Sequence, residues 1–134
     1  MHDDRRPVVL LADDDQDFLE QMRVRFVHEG WDVVMARNEG EARALLAGPA
    51  PDLVILDLMM YRPDAGFTLA HEIKSRDARI PVLLVTGVTA ETGLSFERAG
   101  AGARSWIKAD AVLAKPVRFE QIRRELDRLG VRHD

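Results

Sequence analysis

Residues 51–57 read Pro-Asp-Leu-Val-Ile-Leu-Asp, a run of apolar residues that ends at a carboxylate. The apolar residues are consecutive and do not alternate with polar ones, which is typical of a strand buried on both faces of a parallel sheet. Ligands of such sheets bind beside the carboxyl ends of the strands. The pattern therefore makes Asp57 a candidate site residue, although an aspartate that ends a strand also begins many ordinary turns.

Composition and charge narrow the class of protein. The chain has 134 residues, of which 46% are hydrophobic and 31% charged, as in soluble domains with one core. The net charge of -4 argues against direct nucleic-acid binding, and the lack of cysteine excludes disulfides, zinc–thiolate sites and thiol catalysis. The first apolar run, residues 8–12, is too short for a signal-peptide core or a membrane span. We therefore expect a cytoplasmic protein with no membrane insertion.

Apolar runs and segments of helical periodicity alternate along the chain. Further strands are predicted at 8–12, 31–36, 81–85 and 111–114. A helical segment follows each strand; Asp15 and Asn38 are predicted to cap the first two, and glycines interrupt the one between 89 and 109. Five strand–helix units predict an α/β fold, a parallel sheet with helices on both faces. We expect one domain over 1–134, with its core at about 7–130 and no output domain.

Polar and charged residues stand where these strands end. They are Asp13 and Asp14 after the first strand, Asp57 in the third, Thr86 after the fourth and Lys115 after the fifth. In a parallel sheet these residues share one edge, where crowded carboxylates repel each other and a hard cation such as Mg²⁺ would relieve the repulsion. A carboxylate nucleophile beside a metal, a hydroxyl and an ammonium group indicates phosphoryl chemistry.

Four stretches of the sequence resemble the signature motifs of response-regulator receiver domains. They are residues 9–15 (VLLADDD), 51–60 (PDLVILDLMM), 82–87 (VLLVTG) and 113–116 (LAKP). They occur in the family's order from one end of the chain to the other, so the resemblance extends over nearly the whole chain. The resemblance implies a flavodoxin-like (βα)5 fold with five parallel strands in the order 2-1-3-4-5. It also implies a single-domain signalling switch of a two-component phosphorelay, which slowly dephosphorylates itself and is not a turnover enzyme.

The resemblance further implies a role for each residue of the pocket. Asp57 would be the phosphoacceptor, taking its phosphoryl group from a histidine kinase or a phosphotransfer protein. Asp14 would bind Mg²⁺ directly and Asp13 largely through water, and the backbone carbonyl of Met59 would be a further ligand.

On the other side of the pocket, the resemblance implies that Thr86 and Lys115 reposition around the phosphoryl group. Pro116 would follow a cis peptide bond. Phosphorylation would then change how a downstream protein partner binds to the face formed by residues 89–132. The resemblance also implies that the residues two positions after Asp57 and two after Thr86 flank the path of an attacking water. Here they are Met59 and Val88, neither of which can orient water by hydrogen bonding, so the phosphoryl group should be lost slowly.

The chain departs from the family pattern in three places. The loop over 58–66 is one residue longer than usual and carries Tyr61 where a proline is common. Val112 stands where the family often has an aromatic switch residue, which puts coupling through an aromatic flip in doubt. The segment over 89–109 is also long, and whether its Trp106 replaces the missing aromatic is open.

Two other functions stay open at this point. A small Mg²⁺-dependent phosphohydrolase would use Asp57 as a transient nucleophile, but Leu58 and Met59 supply no general acid and the chain is short for a substrate cap. A phosphorylation-independent adaptor would carry a vestigial pocket, and the intact set of strand-end residues argues against it.

Overall fold

A five-stranded parallel sheet is the centre of the fold. The computed structural model describes residues 6–57, 65–87 and 110–131. The strands are β1 (Val8–Ala12), β2 (Asp32–Ala36), β3 (Leu53–Asp57), β4 (Val82–Thr86) and β5 (Ala111–Ala114). The helices are α1 (Gln16–His28), α2 (Glu39–Leu46), α3 (Ala65–Arg76) and α4 (Phe119–Leu129). The strand order is β2-β1-β3-β4-β5, as predicted, and the helix expected between 89 and 109 lies outside the described residues.

Burial along the strands follows their place in the sheet. Every residue of β3 and β4 is buried, which agrees with their unbroken apolar sequences. The edge strand β2 leaves Asp32 and Met35 exposed, and the other edge strand, β5, is only partly buried. The central strands therefore hold the end of β3 in a fixed position between two neighbours.

Two apolar clusters cover the two faces of the sheet. Alternate residues of the central strands, among them Leu10, Val54 and Leu84, pack under α2 and α3. Their neighbours, such as Leu11 and Ile55, pack under α1 and α4. Alternation of this kind is expected where successive strand side chains point to opposite faces. Each fully buried leucine or isoleucine contributes roughly 1.5–3 kcal/mol, so both helical layers are held mainly by apolar burial.

The first helix is defined by a cap at each end. The Asp15 carboxylate accepts hydrogen bonds from the N–H groups of Asp17 (3.0 Å) and Phe18 (3.2 Å), so Asp15 is the predicted N-cap. At the other end Gly30 has φ 93°, and the N–H of Trp31 bonds to the carbonyl of Phe26 at 2.9 Å. This is a Schellman ending, and it explains why β2 begins at Asp32 and not at Trp31 as the sequence suggested.

The second helix also begins at its predicted cap. The N–H of Glu41 donates to the Asn38 side chain at 2.8 Å. The Glu41 carboxylate accepts from the N–H of Arg37 at 2.7 Å, one residue earlier than a regular capping box would require. Among the helices in the described parts of the chain, none has the length and apolar character needed to cross a membrane.

Candidate functional site

The residues singled out at the strand ends meet at one edge of the sheet. Asp13 directly follows β1, and Lys115 directly follows β5. The register sets Asp57 level with the last residues of β4, and sets Thr86 level with the end of β5. Because all strands are parallel, every one of these side chains lies at the carboxyl edge, where α/β sheets bind their ligands.

Three carboxylates form a cluster at this edge. One oxygen from each of Asp13, Asp14 and Asp57 lies within 4.8 Å of the other two. Asp13 and Asp57 are buried, whereas Asp14 is exposed. Carboxylate oxygens are the ligands that Mg²⁺ prefers, and the exposed position of Asp14 leaves room for water or phosphate oxygens. The donor set therefore fits a magnesium ion.

Asp13 is the most constrained member of the cluster. Its N–H donates to the carbonyl of Ala36 at 3.0 Å, and its carboxylate accepts from the N–H of Asp15 at 2.8 Å. Burial raises the pKa of Asp13 to about 6, opposed by Lys115 and the Asp15 N–H and reinforced by the charge of Asp57. The carboxylate is therefore held in an environment that disfavours its charge.

Lys115 brings the positive charge into this edge. The backbone N–H of Lys115 donates to the carbonyl of Thr86 at 2.8 Å, which fixes the backbone of Lys115 beside β4. Its ammonium nitrogen lies 2.9 Å from Asp13 Oδ2, so the two side chains form an ion pair. Burial alone would lower the pKa of Lys115, but Asp13 and the other nearby carboxylates, including Asp57, hold it above the ordinary value. Lys115 therefore keeps its positive charge at this edge.

Two further expectations concern the β5 side of the pocket. The peptide bond between Lys115 and Pro116 is cis, as the resemblance implied. Val112, at the position where an aromatic switch residue is common, is partly buried and packs on the cluster under α2 and α3. Trp106, considered as its replacement, lies outside the described residues.

Some sequence predictions cannot be placed, and one contact was missed. Met59, Val88 and the loop residue Tyr61 lie outside the residues that the structure describes. The missed contact is the one between the Phe18 ring and the Lys115 ammonium group. The sequence marked Phe18 only as part of the apolar face of α1. Its position four residues after Asp14, in the first turn of the helix that starts at the pocket, was the available signal.

Fold and site together define a flavodoxin-like domain with an acidic, lysine-bearing pocket at the carboxyl edge of its sheet. A family model described as the response regulator receiver domain matches residues 9–127. The chain therefore belongs to the receiver-domain family of two-component response regulators.

Individual proteins agree with this assignment. The chain is 33% identical over 114 residues to the response regulator MprA of Mycolicibacterium vanbaalenii, covering 85% of this chain and 46% of that protein. It thus spans about half the length of this relative. The non-phosphorylated HemR receiver domain of Leptospira biflexa matches at TM-score 0.72 with 28% identity, covering 92% of this chain and 94% of that one.

A third protein is similar in fold. The response regulator TrrA of Thermotoga maritima, solved in complex with Mg²⁺ and BeF, matches at TM-score 0.70. The identity is 24%, and the match covers 92% of this chain and 98% of that one. At this identity the likeness supports the fold, and the ligands named for TrrA belong to that protein.

Proposed function

We propose that this domain is a phosphoacceptor switch in which Asp57 receives a phosphoryl group from a histidine kinase or a phosphotransfer protein. The observation that carries the proposal is the meeting of Asp13, Asp14 and Asp57 within 4.8 Å at the edge that also holds Lys115. Membership of the receiver family supports the same reaction.

The transfer itself needs few chemical groups from the protein. An oxygen of the Asp57 carboxylate attacks the phosphorus of the donor and forms a new P–O bond. The bond from phosphorus to the leaving nitrogen of a phosphohistidine breaks, and that nitrogen keeps the electron pair. Asp57 suits this role because it is buried at the end of β3, with a carboxylate oxygen within 4.8 Å of oxygens of Asp13 and Asp14.

The negative charge of the transferred group must be balanced. Asp13, Asp14 and Asp57 would hold Mg²⁺, with the backbone carbonyl of Met59 as the further ligand that the resemblance implies. When bound, this ion supplies positive charge to the phosphoryl oxygens.

Lys115 and Thr86 would complete the pocket from the side of β4 and β5. The Lys115 ammonium would supply a second positive charge to the phosphoryl oxygens. The hydrogen bond from the Lys115 backbone to Thr86 fixes the start of this side chain at the pocket. Thr86 ends β4 as a buried residue, and its hydroxyl would donate a hydrogen bond to a phosphoryl oxygen.

The consequence of phosphorylation would be a change in protein binding at the face of residues 89–132. The described part of this face includes α4, whose Arg123 pairs with Glu29 at the end of α1 at 2.8 Å. Hydrogen exchange with and without beryllofluoride would test this assignment. Changes limited to α1 and α2 would contradict it.

The decisive experiment is phosphorylation of the chain by acetyl phosphate with excess Mg²⁺, followed by intact mass. The wild type should gain one phosphoryl group, and Asp57→Asn should gain none. Asp32→Asn is the matched control, because Asp32 is an exposed carboxylate at the opposite end of the sheet. Equal labelling of wild type and Asp57→Asn would overturn the proposal, and turnover of phosphate esters would favour a phosphohydrolase instead.

A further inference from the structure

The Lys115 ammonium group contacts an aromatic ring as well as a carboxylate. Lys115 Nζ lies 4.8 Å from the centroid of the Phe18 ring. An ammonium within about 6 Å of a ring centroid is attracted by the negative face of the π system. The Lys115 side chain is only 22% exposed, so water screens this attraction less than on an open surface.

Phe18 is held in place independently of Lys115. Its N–H donates to the Asp15 carboxylate at 3.2 Å, which fixes its backbone in the first turn of α1. Its side chain is buried in the cluster under α1 and α4. The ring is therefore a rigid partner, whereas a lysine has a flexible four-carbon stem.

The same helix start also orients the carboxylate that faces Lys115. The N–H of Asp15 donates to Asp13 Oδ1 at 2.8 Å, which leaves Asp13 Oδ2 toward the ammonium. Asp15 thus fixes both groups that contact Lys115 Nζ, the carboxylate of Asp13 and the ring of Phe18. With the Lys115 backbone bonded to Thr86, the side chain is constrained at both of its ends.

We propose that Phe18 is a positioning residue for Lys115: its ring keeps the ammonium group at the acidic pocket, in reach of a phosphoryl group on Asp57. This inference rests on the proposed function of Asp57. The ring gives the ammonium group a favourable contact that needs no second carboxylate. Lys115 can therefore leave Asp13 for a phosphoryl oxygen without first returning to bulk water.

The competing explanation is that Phe18 only fills the core, and a matched pair of variants separates the two. Phe18→Leu keeps an apolar side chain but removes the ring, and Phe18→Tyr keeps the ring. Phe119→Leu is the control, because Phe119 is a buried aromatic of the same cluster whose ring faces Arg25 and Arg123 instead of Lys115. A purely structural role predicts similar effects for both leucine variants.

The first measurement reads the contact directly, without any phosphoryl chemistry. The Lys115 Cε protons should show an upfield ring-current shift in the NMR spectrum of the wild type. Phe18→Leu should remove this shift, whereas Phe18→Tyr and Phe119→Leu should keep it. An unchanged Lys115 resonance in Phe18→Leu would overturn the proposal.

The second measurement is beryllofluoride affinity at saturating Mg²⁺. Phe18→Leu should weaken binding roughly two- to fivefold, as expected for loss of a partly exposed cation–π contact, and Phe119→Leu should not. These variants form a double-mutant cycle with Lys115→Met. In the Lys115→Met background the Phe18→Leu change should have no effect on the affinity, because the ring then has no ammonium group to contact.

The two proposals fail in different ways. A Phe18→Leu effect that persists in the Lys115→Met background would overturn the positioning role while leaving phosphorylation of Asp57 intact. Wild-type protein that binds no beryllofluoride and accepts no phosphoryl group would overturn the proposed function, and the positioning role with it.

Discussion

Two lysine–aspartate pairs lie at opposite ends of the same sheet, and they are built differently. At the amino end of β4 and β5, Lys74 Nζ lies 2.7 Å from the carboxylate of Asp110. At the carboxyl end, Lys115 Nζ lies 2.9 Å from the carboxylate of Asp13. The two distances are alike, so the surroundings of the pairs must account for any difference in what they do.

Both members of the pair between Lys74 and Asp110 make further hydrogen bonds. Lys74 Nζ also donates to the carbonyl groups of Ala78 (3.1 Å) and Ile80 (2.7 Å). The Asp110 carboxylate accepts from the N–H of Val82 at 2.7 Å, so the pair joins α3 to the first residues of β4 and β5. A network of this kind stabilises a fold because both half-buried charges are paired and hydrogen-bonded.

The Lys115 pair is surrounded by excess negative charge. Asp13 Oδ2 faces the Lys115 ammonium, and Asp14 and Asp57 each place a carboxylate oxygen within 4.8 Å of an oxygen of Asp13. Within the described residues the Lys115 ammonium faces three carboxylates, so like charges are held together here at a cost in folding free energy. If the proposed function is correct, one kind of ion pair serves stability at the amino end of the sheet and reactivity at the carboxyl end, which we call the reactive end.

The sharpest test of this contrast is to remove a carboxylate from the reactive end. The proposed Mg²⁺ site exists only in the folded state, so Mg²⁺ at about 100 times its Kd should stabilise the wild type by about 2.7 kcal/mol. Asp14→Ala should lose most of this response, and it should raise the metal-free stability by about 1 kcal/mol because repulsion falls. Thermal melts with and without Mg²⁺ measure both effects.

Asp17→Ala is the matched control for that test. Asp17 is an exposed carboxylate three residues further on, in the first turn of α1, and it is not part of the acidic cluster. Asp17→Ala can change the stability of the metal-free protein, but it should keep the wild-type stabilisation by Mg²⁺. If Asp14→Ala shows the same response as Asp17→Ala, Asp14 is not a metal ligand.

The second test breaks the pair at the stable end. Lys74→Met keeps the apolar stem of the side chain but leaves Asp110 and two carbonyl groups without their cation. It should lower the free energy of unfolding by about 2 kcal/mol, measured by urea denaturation. Phosphorylation by acetyl phosphate should be unaffected, because the pair lies at the far end of the sheet.

An exposed ion pair provides the comparison for Lys74. Arg79 lies 3.1 Å from the Asp77 carboxylate, but its side chain is 92% exposed. Arg79→Met should therefore lower the free energy of unfolding much less than Lys74→Met does. Equal losses for Lys74→Met and Arg79→Met would show that the half-buried network adds no more stability than an exposed ion pair does.

The sequence predicted the strand ends better than it predicted these contacts, for a physical reason. Asp13, Asp57 and Lys115 could be brought together because unbroken apolar strands predict a parallel sheet, and a parallel sheet gathers its carboxyl ends. The link between Lys74 and Asp110 depends on side-chain direction in a helix and a loop that are distant in sequence. The contact between Phe18 and Lys115 was hidden because an apolar residue on a helix face is first of all a core residue.

The last and smallest effect concerns pH and the charge on Asp13 in the metal-free protein. The pKa of Asp13 is raised to about 6 from an ordinary 3.8, mainly by burial. Between these pH values the folded state holds a proton that the unfolded state lacks, and this proton stabilises the fold. Its contribution to the free energy of unfolding is fully present below the unfolded pKa and is lost as pH rises through about 6. Lowering the pH from about 7 to about 5 should therefore stabilise the wild type relative to Asp13→Asn by on the order of 1 kcal/mol. Urea denaturation of both proteins with a chelator present gives this difference directly, and the subtraction removes the groups that titrate in both. A difference that stays constant across this range would mean that Asp13 ionises as an ordinary carboxylate, and that the reactive end of the sheet is less strained than its geometry indicates.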